Sequence, residues 1–245
     1  MKKLLLGLTL LLTVPFIANG QLLVEPEQDF DCSVWFVKGG IHNPQGKKIS
    51  QQGMEIWGDY IFSLMDKGYC NVYRFSTRDS LPLAKFKLAS FRDDNHANNA
   101  SFGTETKPGA SFPLIYITNG KVGSEIEWTC FVESITKKGE QFSSEIAQTI
   151  ILDGSDWESR GFTAIFGAPS WMIDRERGFL WVFSALKRTI LTVTRSASEN
   201  RYVATKFRIP LLAEGKEVHL SGADILDQVR SEEHTSELQS RSDLV

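Results

Sequence analysis

The side chains best able to hold a polar ligand or move a proton fall in three short segments. His42 and Asn43 lie within Gly39 to Gln52, and the run DDNHANN (93–99) supplies Asp93, Asp94, Asn95, His96 and Asn98. The stretch Asp153 to Pro169 supplies Asp156, Trp157 and Arg160. An imidazole beside carboxylates could act as a general base, and one desolvated carboxylate could act as an acid. An acidic residue next to an indole has the composition of a sugar-stacking pair. The ligand-binding set is therefore His42, Asp94, His96, Asn98, Asp156 and Trp157. Each residue also has a plainer role open to it. His96, Asp93 and Asp94 could hydrogen-bond turn backbone as Asn and Asp commonly do, His42 could be structural or solvated, and Trp157 could anchor its loop. Asp174 in DRERG reads as the turn residue of a hairpin. Of the remaining histidines, His219 lies away from these segments and His234 falls in the C-terminal tail.

No reaction is announced. The sequence has no Gly-x-Ser-x-Gly, no glycine-rich strand-to-helix turn and no Cys-x-x-Cys, so neither a cofactor nor a metal is expected. Cys32, Cys70 and Cys130 make an odd count, with Cys70 and Cys130 on strands where buried thiols fit better than a disulfide. The 27 Lys and Arg against 30 Asp and Glu, net charge −3, offer no basic face for nucleic acid.

The elements that must position these loops are strands. Period-2 alternation dominates: Ala84, Phe86 and Leu88 alternate with Lys85 and Lys87, and Val203, Thr205, Phe207 and Ile209 with Lys206 and Arg208. YIFSLM (60–65), PLIYIT (113–118) and GFLWVFSA (178–185) are apolar on both sides, as strands between two layers must be. In order, the segments form three units of four strands. The first is GMEIWG, DYIFSLMD, YCNVYRFS, LAKFKLAS; the second NASFG, FPLIYITNG, EWTCFVESI, EIAQTIILD; the third PSWMIDRE, GFLWVFSA, ILTVTRS, RYVATKFRI. Phe86, Ile150 and Phe207 stand 64 and 57 residues apart, and Phe62, Tyr116 and Trp181 stand 54 and 65 apart.

Four short strands at that period predict an all-β chain of β-propeller blades, about three of them, with the ring not closed. A two-sheet sandwich explains the short strands but not their repeated order. DCSVWFVKG (31–39) reads as an orphan strand and DILDQV (224–229) as the start of a fourth blade. Propeller topology puts the loops between blades, and those between second and third strands, on one face near the axis. His42, His96 and Trp157 should therefore share that face, with Lys85, Lys87, Lys206 and Arg208 on outer strands facing solvent.

Residues 1–20, two lysines followed by an apolar run and Ala18-Asn19-Gly20, read as a secretory signal, and the apolar run is too short for a stable membrane anchor. Residues 21–229 form the partial propeller domain. Residues 230–245 turn abruptly polar, and RSEEHTSELQS is similar to the conceptual translation of a sequencing adapter, so a non-native, unfolded tail and a natural chain continuing past Val229 are expected. QQGMEIWGDYIFSL (51–64), DDNHANNASFGTE (93–105) and WMIDRERGFLWVF (171–183) resemble blocks of exported bacterial β-propeller proteins. The resemblance covers most of 53–229 and implies the fold and export, without an activity. The expected function is a secreted binding module for a glycan or small polar ligand. The alternatives are a propeller lyase or hydrolase on polysaccharide with His96 as base, and a structural platform for protein partners.

Overall fold

The computed structural model describes residues 49–77, 81–119, 121–185 and 202–230, all within one compact unit, Lys38–Val245. The leader, His42, Cys32, the 31–39 segment, ILTVTRS and the tail beyond Arg230 lie outside the described residues.

The first sheet is an antiparallel meander of β1 (Gln51–Trp57), β2 (Tyr60–Met65), β3 (Tyr69–Arg74) and β4 (Ala84–Lys87). The second contains β5 (Asn99–Phe102), β6 (Ile115–Thr118), β7 (Thr129–Lys138) and β8 (Gln141–Leu152) in the same order. The third runs β9 (Ser170–Asp174), β10 (Phe179–Ala185), β11 (Tyr202–Arg208) and β13 (Ile225–Arg230), while β12 (Glu217–Leu220) joins the second sheet.

Alternation decides which face of each strand is buried. Phe62, Leu64, Cys70 and Val72 of the first sheet meet Phe102, Ile115, Ile117 and Ile135 of the second in one apolar layer. On its other face the second sheet presents Tyr116, Cys130, Val132 and Ile150, which pack with Trp171, Leu180, Val182 and Phe207 of the third. A sheet covered on both faces needs strands without a polar side, which is why β6 is buried at every position. The inner strands are also neighbours, β1 with β5 and β5 with β9. Successive four-stranded meanders packed face to face around adjacent first strands are β-propeller blades, and among the described residues the ring is not closed.

The third blade corrects the strand assignment. β11 pairs directly with β10 from Phe179↔Arg208 to Ala185↔Tyr202, so it is the third strand, not the fourth. The fourth is β13, where a new blade was expected to begin. Alternation reveals that a strand is half-exposed but not its rank in the sheet. Lys206 and Arg208 therefore stand on a third strand: the Lys206 ammonium lies 3.8 Å from the centre of the Phe179 ring, and Arg208 Nη2 is 2.6 Å from Glu214 Oε1. Lys85 and Lys87 occupy the exposed side of the outer strand β4, as expected.

β12 was not foreseen as an addition to another blade. Between β11 and β13 the chain leaves the third blade and lies parallel to β8, Glu217↔Thr149 through Leu220↔Leu152, as a fifth strand of the second.

Close packing between strands explains one glycine. A Cβ on Gly103 would fall 2.5 Å from Cε2 of Tyr116, whose ring is 2% exposed and held by the core. Gly103→Ala is expected to cost about 2 kcal/mol through this overlap, measured by chemical denaturation. A loss below about 0.5 kcal/mol would show that the ring yields freely.

Candidate functional site

The loop from Ser90 to Asn98, between β4 and β5, carries most of the residues singled out above. Its shape is set by Asn95, which is fully buried. Asn95 Nδ2 donates to the Ser90 carbonyl at 2.9 Å, and its Oδ1 accepts from the Ala97 amide at 2.8 Å. The first turn between second and third strands, Asp66–Gly68, clamps one side: Lys67 N donates to Asn95 O, and Arg92 N donates to Lys67 O. β1 clamps the other, since Gly53 N donates to Ala97 O at 3.1 Å, and a Cβ at Gly53 would sit 2.9 Å from that oxygen. Only glycine allows β1 and the loop to approach so closely.

Both loop carboxylates are engaged in ion pairs. Asp94 receives Arg92 Nε at 2.5 Å and Nη2 at 3.1 Å, and the same guanidinium reaches Glu125 Oε2 at 3.3 Å. Asp93 meets Lys67 Nζ at 2.8 Å, and that hydrogen bond holds its carboxyl below the usual carboxylate range.

His96 is placed differently. Its amide donates to Asn119 Oδ1 at 3.0 Å, in the second blade's own turn between second and third strands, while its side chain is 38% exposed. The ring Nε2 stands 3.9 Å from Asp66 Oδ1, close enough for attraction but beyond a hydrogen bond. Asp66 is itself oriented, receiving Gln52 Nε2 at 2.7 Å on Oδ1 and the Ser50 amide at 3.2 Å on Oδ2. Asn98 is exposed, and its amide donates to the Thr118 carbonyl at 2.8 Å. No hydrogen bond holds its side chain among the described residues.

Asp156 and Trp157 belong to a second cluster. Trp157 is buried at 0% exposure with its ring centre 5.8 Å from that of Phe207, which corrects the expectation of a stacking platform for sugar. An indole between two blades recovers more by leaving water than a rim position would give it. Asp156 accepts from Arg160 Nε at 2.5 Å and from the Gly222 amide at 2.7 Å. Those two bonds, the first above all, hold its pKa below the carboxylate norm. It pins the segment after β12 to the loop before β9.

Both clusters lie on the same face. The second blade's turn touches His96 through Asn119 and, from its other side, donates Trp128 Nε1 to the Gly167 carbonyl at 3.0 Å. His96 and Trp157 thus share the face that strand order assigned to them, but Asp156 and Trp157 form a structural joint. Asp66, Gln52 and Asn119 were missed. The rule that second-to-third-strand turns share this face pointed at Asp66 and Asn119, but neither lies in a histidine-bearing motif.

Among the described residues no group of three or more His, Cys, Asp or Glu is arranged to hold a metal ion. Cys70 and Cys130 are free and buried. Burial raises the pKa of both thiols well above its ordinary value, with the nearby Glu133 charge adding to the effect on Cys70.

No family model matches the chain, and no curated protein does. Among solved structures, the β-propeller domain of Cps50 (Swd1) from Myceliophteria thermophila is similar over 74% of this chain at 9% identity, with a TM-score of 0.34. The WD40 domain of SCAP from fission yeast is similar over 79% at 9% identity, with a TM-score of 0.31. The chain spans 41% and 44% of the length of those two structures.

Proposed function

We propose that this chain is an exported interaction module that holds a glycan or other small polar ligand on the inter-blade loop face, with His96, Asn98 and Asp66 as its contacts. One observation carries the reading. On a face where Asp93, Asp94 and Asp156 are consumed by ion pairs, His96 keeps a half-exposed ring beside an oriented carboxylate, and Asn98 keeps an exposed amide. Convergent polar groups near a propeller axis are where small ligands are held. Calorimetry with cellohexaose, xylohexaose and oligogalacturonate tests this. His96→Ala should weaken whichever sugar binds by about tenfold, the worth of one or two hydrogen bonds. Unchanged affinity in both His96→Ala and Asn98→Ala would remove the site.

The proximity of Asp66 to the imidazole favours one second reading, a lyase or hydrolase in which Asp66 orients His96 as base. Turnover by the intact chain, lost in His96→Ala while binding persists, would select it. A chain that binds without turnover is a binder.

A further inference from the structure

The turn between β2 and β3 carries a lysine in a backbone conformation that suits other residues better. Lys67 holds φ 67° and ψ 2°, the left-handed region that glycine and asparagine enter at little cost. Among the described residues Ala97 is the only other non-glycine at positive φ, and it sits between His96 and Asn98. The bonds that fix the turn, from Lys67 N to Asn95 O and from Arg92 N to Lys67 O, are made by backbone alone. Asparagine could make both with less strain. What lysine adds is an ammonium on the loop face, and strained residues of this kind cluster where ligands are clamped.

That ammonium meets Asp93 Oδ1 at 2.8 Å, with side chains 43% and 88% exposed. A pair so open to water contributes little. From the second blade's turn, Lys121 adds its attraction to the same carboxyl, although no hydrogen bond or ion pair holds its own ammonium among the described residues. The Lys121 backbone is fixed by Asn119 Oδ1, which accepts the Lys121 amide at 3.2 Å and the His96 amide at 3.0 Å. Two lysines from the turns of adjacent blades thus flank one exposed carboxylate beside His96. Arg92 does not join them, because Asp94 and Glu125 share it. Asp66 is the opposing charge nearby, and it already receives Gln52 Nε2 and the Ser50 amide.

We infer that Lys67 and Lys121 bind the carboxylate of an acidic sugar, and that Asp93 occupies this position until such a ligand displaces it. The inference rests on the glycan-binding reading of His96 and Asn98, and it narrows that ligand to a uronate-bearing glycan. Displacement costs little, since the exposed Asp93 carboxylate is released into water.

Calorimetry compares oligogalacturonate with its fully methyl-esterified form, which keeps the rings and removes the charge. The free acid should bind about tenfold tighter, the worth of one charge-assisted hydrogen bond. Lys67→Asn should erase that difference without lowering the melting temperature, because asparagine suits the left-handed turn. Asp93→Asn should tighten binding of the free acid about threefold by removing the competing carboxylate, and leave the ester unchanged. Equal affinity for acid and ester, a difference that survives Lys67→Asn, or an Asp93→Asn chain that binds the acid no better would overturn the inference. If the ester or a neutral sugar then still binds and is lost in His96→Ala, the reading beneath it stands. If no sugar binds, both fall.

Discussion

Trp157→Ala is expected to lower the unfolding free energy by about 3–5 kcal/mol, the range for truncating a buried aromatic. The indole is fully buried, packs on Phe207, and belongs to the layer that joins the second and third blades with Trp171, Leu180 and Val182. Its ring NH has no hydrogen-bond partner among the described residues. Truncation therefore sacrifices apolar contact without giving up a bond, and the loss reflects cavity and transfer terms alone. Trp157→Phe should recover more than half of it. Denaturant titration measures both variants. A Trp157→Ala chain as stable as its parent, with ligand binding reduced, would restore the indole to the ligand site.

The second large effect is expected at Glu133, on β7 and fully buried. Its carboxylate crosses to the first blade, accepting the Ala89 amide on Oε2 and the Ser90 amide on Oε1, each at 2.9 Å. Ala89 N has a second acceptor in Ser144 Oγ at 2.9 Å, whereas Ser90 N has no alternative among the described residues. Glu133→Ala should cost about 3–4 kcal/mol, since hydrogen bonds to a charged group are worth about 1.5–3 kcal/mol each and a buried donor is left unmet. Glu133→Gln keeps one carbonyl acceptor and should cost about half as much. The amide of Ser90 should also exchange with solvent faster in Glu133→Ala. A change in stability within about 1 kcal/mol would show that water replaces the carboxylate at no penalty.

The blades were legible because burial leaves a periodic mark. β6 had to be apolar on both sides to lie between two layers, and β4 had to alternate to face solvent. Rank within a sheet leaves no such mark, so β11 was placed one strand too far out. The short EVHL of β12, with its charge and histidine, gives no sign that it will pair with a strand some 68 positions earlier, Glu217 with Thr149. The site was legible by face and less so by role. The distinction between a carboxylate that is free and one that is spent rests on partners distant in sequence, as with Asp156 and Gly222 or Asp93 and Lys67. Trp157 shows the same limit, because a loop indole beside an aspartate reads identically whether its ring turns outward or into the core. Glu133 carried no motif at all, and only its burial between two blades reveals its work.

The excursion of the chain between β11 and β13 bears on the order in which the blades can form. The first blade closes from residues contiguous in sequence, so its pairing needs only short loops to close. The outer margin of the second is completed only after the third has placed β11, because β12 follows it, and β13 can then return to finish the third. Two meanders that each hold the other's last strand in place are linked in one cooperative step, with the high contact order that slows folding. Synthesis from the N-terminus therefore leaves the β8 margin bare until Leu220 has emerged, and the second blade spends its youth with its longest edge unguarded.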